Sequence, residues 1–90
     1  MRSPSYSGQF KRDVKLLDRR GKDKEKLRHV INLLLAGQPL PREFNDHPLK
    51  GEWKPRRDLH IESDWLLIYR LDDDSVRFER TGTHADLFGK

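Results

Sequence analysis

The chain has 90 residues, 38% charged and 33% hydrophobic, with a formal net charge of +4 and no cysteine. That length holds one domain with a modest core, burying roughly two-thirds of its unfolded surface, and the lack of cysteine excludes a disulfide framework and any thiolate metal site. No apolar run approaches membrane-spanning length and the first residues show no apolar signal region, so a soluble intracellular protein without a membrane partner is expected.

Near the N-terminus, "SPSYS" could add a short edge strand, although Pro4 counts against it. Residues 7–20 predict a helix. Phe10, Val14 and Leu17 recur at i, i+4 and i+7 with Lys and Arg between them, Ser7 can cap the start, and Gly21 can end it. A second helix is expected over residues 23–36, with Leu27, Val30, Ile31 and Leu34 on its apolar face, Asp23 as N-cap and Gly37 as stop. The short Gly21-Lys22 link makes the two helices an antiparallel hairpin. Between Phe10 and Arg28 lie nine Lys/Arg and four Asp/Glu, among them Lys11, Arg12, Lys15, Arg19 and Arg20. Composition alone favours a solvated helical face; the functional reading is an anionic partner, RNA or DNA first.

"GQPLPREFNDHPLKG" then breaks the pattern, and its prolines and glycines predict a loop with no regular element. From Trp53 the period changes to two. Strands are expected over 53–61, 65–71 and 76–81, with turns at Glu62–Asp64 and Asp72–Ser75, which gives an antiparallel meander. In the middle strand both the Trp65/Leu67/Tyr69 and the Leu66/Ile68 sets are apolar, as suits a central strand carrying helices on one face. The expected fold class is α+β: one domain over 1–90, a helical hairpin packed on a small antiparallel β-sheet.

His29, inside the second helix, receives no role. His47, His60 and His84 all fall in loops or at strand ends of the sheet half. Singly, each reads as a solvated loop histidine. Asp64 is a good turn residue, Arg80 one more basic residue, and Trp65 and Phe88 read as core or terminal anchors. The combination at one end of a small sheet points to chemistry. A metal site through His60 and Asp64 has the spacing of a helix pair, but this segment is strand and turn, so no metal or cofactor is expected. Acyl transfer needs an activated nucleophile, and no nucleophile-elbow motif is present. RNA phosphodiester cleavage needs neither, because the substrate 2′-hydroxyl attacks the adjacent phosphorus. The protein then supplies a base, an acid and a cation for the phosphorane charge, and histidines and arginine suit those tasks.

Four motifs in order, "DHPLKG", "WKPRRDLH", "DWLLIY" and "RFERTGTH", with "YSGQFKRDVKL" upstream, resemble the YafQ subgroup of the RelE/ParE superfamily of bacterial toxins along nearly the whole chain. The resemblance implies a bacterial, cytoplasmic, ribosome-dependent mRNA interferase of a type II toxin–antitoxin system. Its implied partners are a cognate antitoxin, the 70S ribosome with its mRNA, and ribosomal RNA phosphates for the basic helices. It implies that His47, His60, Asp64 and His84 are catalytic or touch substrate, and that Arg80 stabilises the phosphate. Trp65 and Phe88 would pack the site or stack on bases. Pro4, Pro55 and Arg56 carry no chemical meaning in this reading. A ParE-like toxin that inhibits DNA gyrase by binding is the alternative, against which the His/Asp/Arg set counts. A plain RNA-binding module is third.

Overall fold

A computed structural model describes residues 1–89. Helix α1 (Gly8–Arg19) starts at Ser7, whose Oγ accepts the Phe10 N–H at 2.9 Å and donates to the Glu79 carbonyl at 2.6 Å. The cap therefore ties the helix to the sheet as well as satisfying an orphan amide. Helix α2 (Lys24–Ala36) is capped by Asp23 and closes at Gly37, whose φ of 70° is the left-handed conformation that favours glycine.

Five strands follow the order β1-β5-β4-β3-β2: β1 (Ser3–Tyr6), β2 (His47–Pro48), β3 (Arg57–Glu62), β4 (Trp65–Leu71) and β5 (Ser75–Gly82). The meander β3-β4-β5 is antiparallel as expected, and β1 adds to β5 in parallel. The fold is thus α+β on a mostly antiparallel sheet. The edge strand forms in spite of Pro4. The amides of Ser3 and Ser7 point inward, to the Asp74 and Phe78 carbonyls at 2.8 and 3.0 Å, and alternation turns Pro4's missing donor outward.

Two other expectations are corrected. The loop after α2 contains a 3₁₀ turn at Arg42–Phe44 and the two-residue strand β2. Trp53 does not open a strand: it ends a 3₁₀ turn at Gly51–Trp53, and β3 begins at Arg57. Arg56, read as meaningless variation, pairs with Glu79 of β5 at 2.9 Å.

Both helices cover one face of the sheet. Leu59, Trp65, Leu67, Tyr69, Val76 and Phe78 pack there against Phe10, Leu17, Leu27, Val30 and Leu34. The opposite face carries Leu66 and Ile68, covered by the short helix α3 (His84–Phe88) through Leu87, with Leu49, Trp53 and Phe88 around it. Gly82 lets α3 fold back this closely, since a Cβ there would lie 3.0 Å from the Asp86 carboxylate.

A bulge in β5 decides which face Arg80 joins. Simple alternation from Val76 and Phe78 would send Arg80 into the helix-covered core. Tyr69 pairs with Phe78, whereas the next residue back, Ile68, pairs with Arg80, so Glu79 is the extra residue. The parity flips, Thr81 enters the core, and Arg80 emerges on the open face.

Candidate active site

Register across the sheet assembles a line of polar residues on the open face. His47 pairs with Asp58, Asp58 with Ile68, and Ile68 with Arg80. The neighbouring line runs from His60 through Leu66 to Gly82, just before α3. His60 therefore sits inside β3, not at its end, and α3 brings His84 over it. The three imidazoles form a row, with ring centroids 6.3 Å apart for His47–His60 and 5.7 Å for His60–His84.

Each end of the row is held by a defined contact. Asp64, in the β3–β4 turn, accepts both the His84 backbone N–H at 2.9 Å and its ring Nδ1–H at 2.6 Å. These two donations, the backbone one foremost, hold the Asp64 carboxyl below the usual carboxylate range. It is ionised at neutral pH, and it leaves Nε2 as the His84 nitrogen open to a substrate. His47 Nδ1 lies 2.8 Å from the Asn45 carbonyl. A carbonyl only accepts, so Nδ1 carries the proton. Asn45 offers that carbonyl from a left-handed turn with φ of 48°.

His47 Nε2 faces the Asp58 Oδ1 at 2.9 Å. The angle is poor, and Oδ1 has no aligned hydrogen bond. Asp58 is 4% exposed. Burial pushes its carboxyl above the usual range, and the neighbouring His47, His60 and His84 pull it part of the way back. His60 Nδ1 is likewise buried without a hydrogen-bond partner. Arg70 Nε, farther along β4 on this face, is a third such atom, and unpartnered buried polar atoms are costly in a purely structural surface.

Arg80 is not a free cation. Its Nε and Nη2 donate to the two Asp13 oxygens at 2.8 and 3.2 Å, and Asp13 also accepts the Thr81 N–H at 3.1 Å. The carboxylate reaches around the β5 edge from α1 and fixes the guanidinium beside the open face. This arrangement leaves Nη1 disengaged.

The aromatic expectations divide. Trp65 is 1% exposed, on the helix-covered side, with Nε1 donating to Thr81 Oγ1 at 2.9 Å. Its ring presents no face to a nucleotide, so packing is the role its position fits and base stacking is corrected. Phe88 remains half-buried, 6.5 Å from the His84 ring. Lys11, Arg12, Lys15 and Arg19 are exposed along α1. Arg20 is exposed too, but both its terminal nitrogens bind Asp86 of α3, at 2.7 and 3.2 Å.

Asp58, Asp13 and Asn45 were missed by sequence reasoning. Asp58 carried a usable signal, because aspartate is depleted in strands and this one sits two residues before His60, on the same face. Among the described residues, no group of three His, Asp or Glu side chains is disposed to hold a metal ion. A cavity of about 560 Å³ lies elsewhere, between the end of α2, the following loop and Tyr69, away from the histidine row.

The chain matches the family model described as the bacterial toxin of type II toxin–antitoxin systems, YafQ, over residues 2–89. It is 55% identical over 89 residues to the mRNA interferase toxin YafQ of Escherichia coli (strain K12), covering 98% of this chain and 97% of that protein. Among solved structures, the E. coli DinJ–YafQ complex superposes with a TM-score of 0.93 at 54% identity, covering 99% of this chain and 100% of the other. YafQ from E. coli strain BL21(DE3) gives a TM-score of 0.94 at 53% identity with the same coverage.

Proposed function

The chain belongs to the YafQ family of bacterial type II toxin–antitoxin toxins, and from that premise we propose that it is an endoribonuclease that cuts mRNA in the ribosomal decoding site. The observation that carries the mechanism is the imidazole row with Asp64 on one end. One imidazole takes the proton of the 2′-hydroxyl. The 2′-oxygen bonds to the adjacent phosphorus, the P–O5′ bond breaks, and a second, protonated imidazole donates to the leaving 5′-oxygen. The products are a 2′,3′-cyclic phosphate and a 5′-hydroxyl. No protein nucleophile enters the reaction.

Asp64 fixes the His84 tautomer and stabilises the ring when it is charged. The disengaged Nη1 of Arg80 is aimed at phosphorane charge, and Asp13 holds the guanidinium so that little reorganisation accompanies the reaction. The exposed Lys11, Arg12, Lys15 and Arg19 give salt-sensitive docking to ribosomal RNA phosphates. A cognate antitoxin is the expected partner, supported by the relative solved with DinJ, and an acidic segment on it would neutralise the same basic surface.

The test uses translating ribosomes and a message with a 2′-methoxy group at the scissile position. The parent message is cut, with ends that map inside the codon in the decoding site; the blocked message binds and stays whole. Cleavage of the blocked message at the parental rate rules out 2′-OH attack. Equal cleavage of naked mRNA rules out ribosome dependence.

A further inference from the structure

The row of rings does not stop at His84. Phe88 follows at 6.5 Å, and Trp53 meets Phe88 edge-on at 5.5 Å. Trp53 in turn walls a cavity of about 380 Å³ that also touches Gln9, Glu52, Arg56, Glu79 and Arg80. The cavity therefore lies past the apolar end of the row, with the Asp13-bound Arg80 at its border.

The walls differ in what they have left to offer. Arg56 is bound to Glu79 at 2.9 Å and Arg80 to Asp13 at 2.8 Å, so both cations are held in place. Glu52 is exposed, and no ion pair or side-chain hydrogen bond engages it among the described residues. The proton transfers at the histidine row use neither Glu52 nor Trp53. An unpaired carboxylate on a face that receives RNA opposes phosphate, so its natural counterpart there is the donor edge of a base.

We infer that this cavity seats the base of a nucleotide flanking the scissile phosphate, and that it favours a base with an exocyclic amino group (adenine, cytosine or guanine) over uracil. The inference rests on the endoribonuclease reading and names part of its substrate recognition. Trp53 supplies a flat apolar platform, and stacking on it tolerates any base because every base has a π-face. Glu52 supplies discrimination. An ionised carboxylate only accepts hydrogen bonds, so an exocyclic amino group satisfies it, whereas uracil offers only N3–H, flanked by O2 and O4, which oppose the carboxylate. Arg80 at the border holds the phosphate between the histidine row and the cavity. One nucleotide then lies over the row and its neighbour reaches Trp53.

The experiment is single-turnover cleavage on translating ribosomes of messages in which each nucleotide flanking the cut is varied through A, C, G and U. At one flanking position the parent should disfavour uracil by about ten-fold or more, as one polar base contact allows. Glu52→Gln adds a donor that uracil accepts, so it should bring that ratio to within about two-fold while the preferred message is still cut. Trp53→Ala should weaken all four alike, raising KM about ten-fold with a smaller change in kcat, and Trp53→Phe should recover most of the loss. Glu52→Gln alters an exposed side chain and keeps the test valid should Trp53→Ala fold poorly. If the parent cuts and Glu52→Gln leaves its base preference unchanged, the subsite is overturned. If the parent cuts no message, the endoribonuclease reading falls and takes the subsite with it.

Discussion

The two faces of the sheet are made from the same strands and have opposite characters. The face under α1 and α2 is dry and apolar, with Leu59, Leu67, Val76 and Phe78 each wholly buried. The other is covered by the five-residue α3 with Leu49 and Trp53 beside it, and holds His47, Asp58, His60 and Arg80. On that face three buried polar atoms, Asp58 Oδ1, His60 Nδ1 and, farther along β4, Arg70 Nε, go without a hydrogen-bond partner. Alternation lets one strand serve both: Leu59 anchors the core while Asp58 and His60 on either side of it face the site. Stability and chemistry are therefore separable by face, and substitutions should sort the same way.

The sharpest test sets Phe78→Ala against His84→Ala. Phe78 is fully buried and contacts Tyr6 and Phe10 at ring distances of 5.4 and 5.8 Å. Its truncation should cost about 3–5 kcal/mol, a large share of the ~5–15 kcal/mol that holds a domain together. His84→Ala should lower single-turnover cleavage by about 10²–10⁴-fold. It should change stability by less than about 1 kcal/mol, because the His84 and Asp64 side chains are 44% and 63% exposed. Urea unfolding and cleavage rates on both variants decide the matter. A His84→Ala protein destabilised as much as Phe78→Ala would erase the separation.

Asp13 is where the separation should fail, because its carboxylate starts on the covered side and ends on Arg80. It is buried, and it serves Arg80 and the Thr81 amide together. Asp13→Ala should cost about 2–3 kcal/mol in stability, since charged hydrogen bonds are lost and a cation is left unpaired. It should also reduce cleavage about ten-fold or more by releasing the guanidinium. A double-mutant cycle with Arg80→Ala should show a stability coupling of about 1–3 kcal/mol. Additive costs would mean that Asp13 supports only the β5 edge.

The covered face was legible in the sequence and the open face only in part, for physical reasons. Helix periodicity, the Ser7 and Asp23 caps, the Gly37 stop and the apolar β4 are all local signals, and each marks the core. The histidines, Asp64 and Arg80 stood out by type and motif, but their arrangement depends on non-local register. The Glu79 bulge reverses the parity of Arg80 and Thr81, and nothing in "RFERTG" announces it. The strand β2, only two residues long, carries no period of its own, yet it sets His47 beside Asp58. For Trp65 the sequence left packing and base stacking both open, because composition does not reveal which side of a strand an aromatic faces. Its burial follows once Leu67 and Tyr69 are seen to share its face.

The smallest effect concerns the tether that keeps α3 on the open face. Asp86 closes a capping box with Thr83 and accepts two hydrogen bonds from Arg20 at the end of α1. The Arg20 guanidinium, then the Thr83 N–H, lower the Asp86 carboxyl from 3.8 to about 2. A depressed carboxyl contributes stability that is fully present above its unfolded value and is lost as pH falls through the folded one. Asp86→Ala should therefore cost about 1 kcal/mol at pH 6, a modest sum because the Arg20 and Asp86 side chains are 41% and 23% exposed. The gap from the parent should hold steady down to about pH 5 and narrow from there toward pH 2. Arg20→Ala should show the same pH course with a smaller amplitude, since the Thr83 cap remains. Urea titrations at half-unit pH steps resolve this. A gap that stays constant down to pH 2 would show that helix packing, and not the ionised tether, holds His84 over His60.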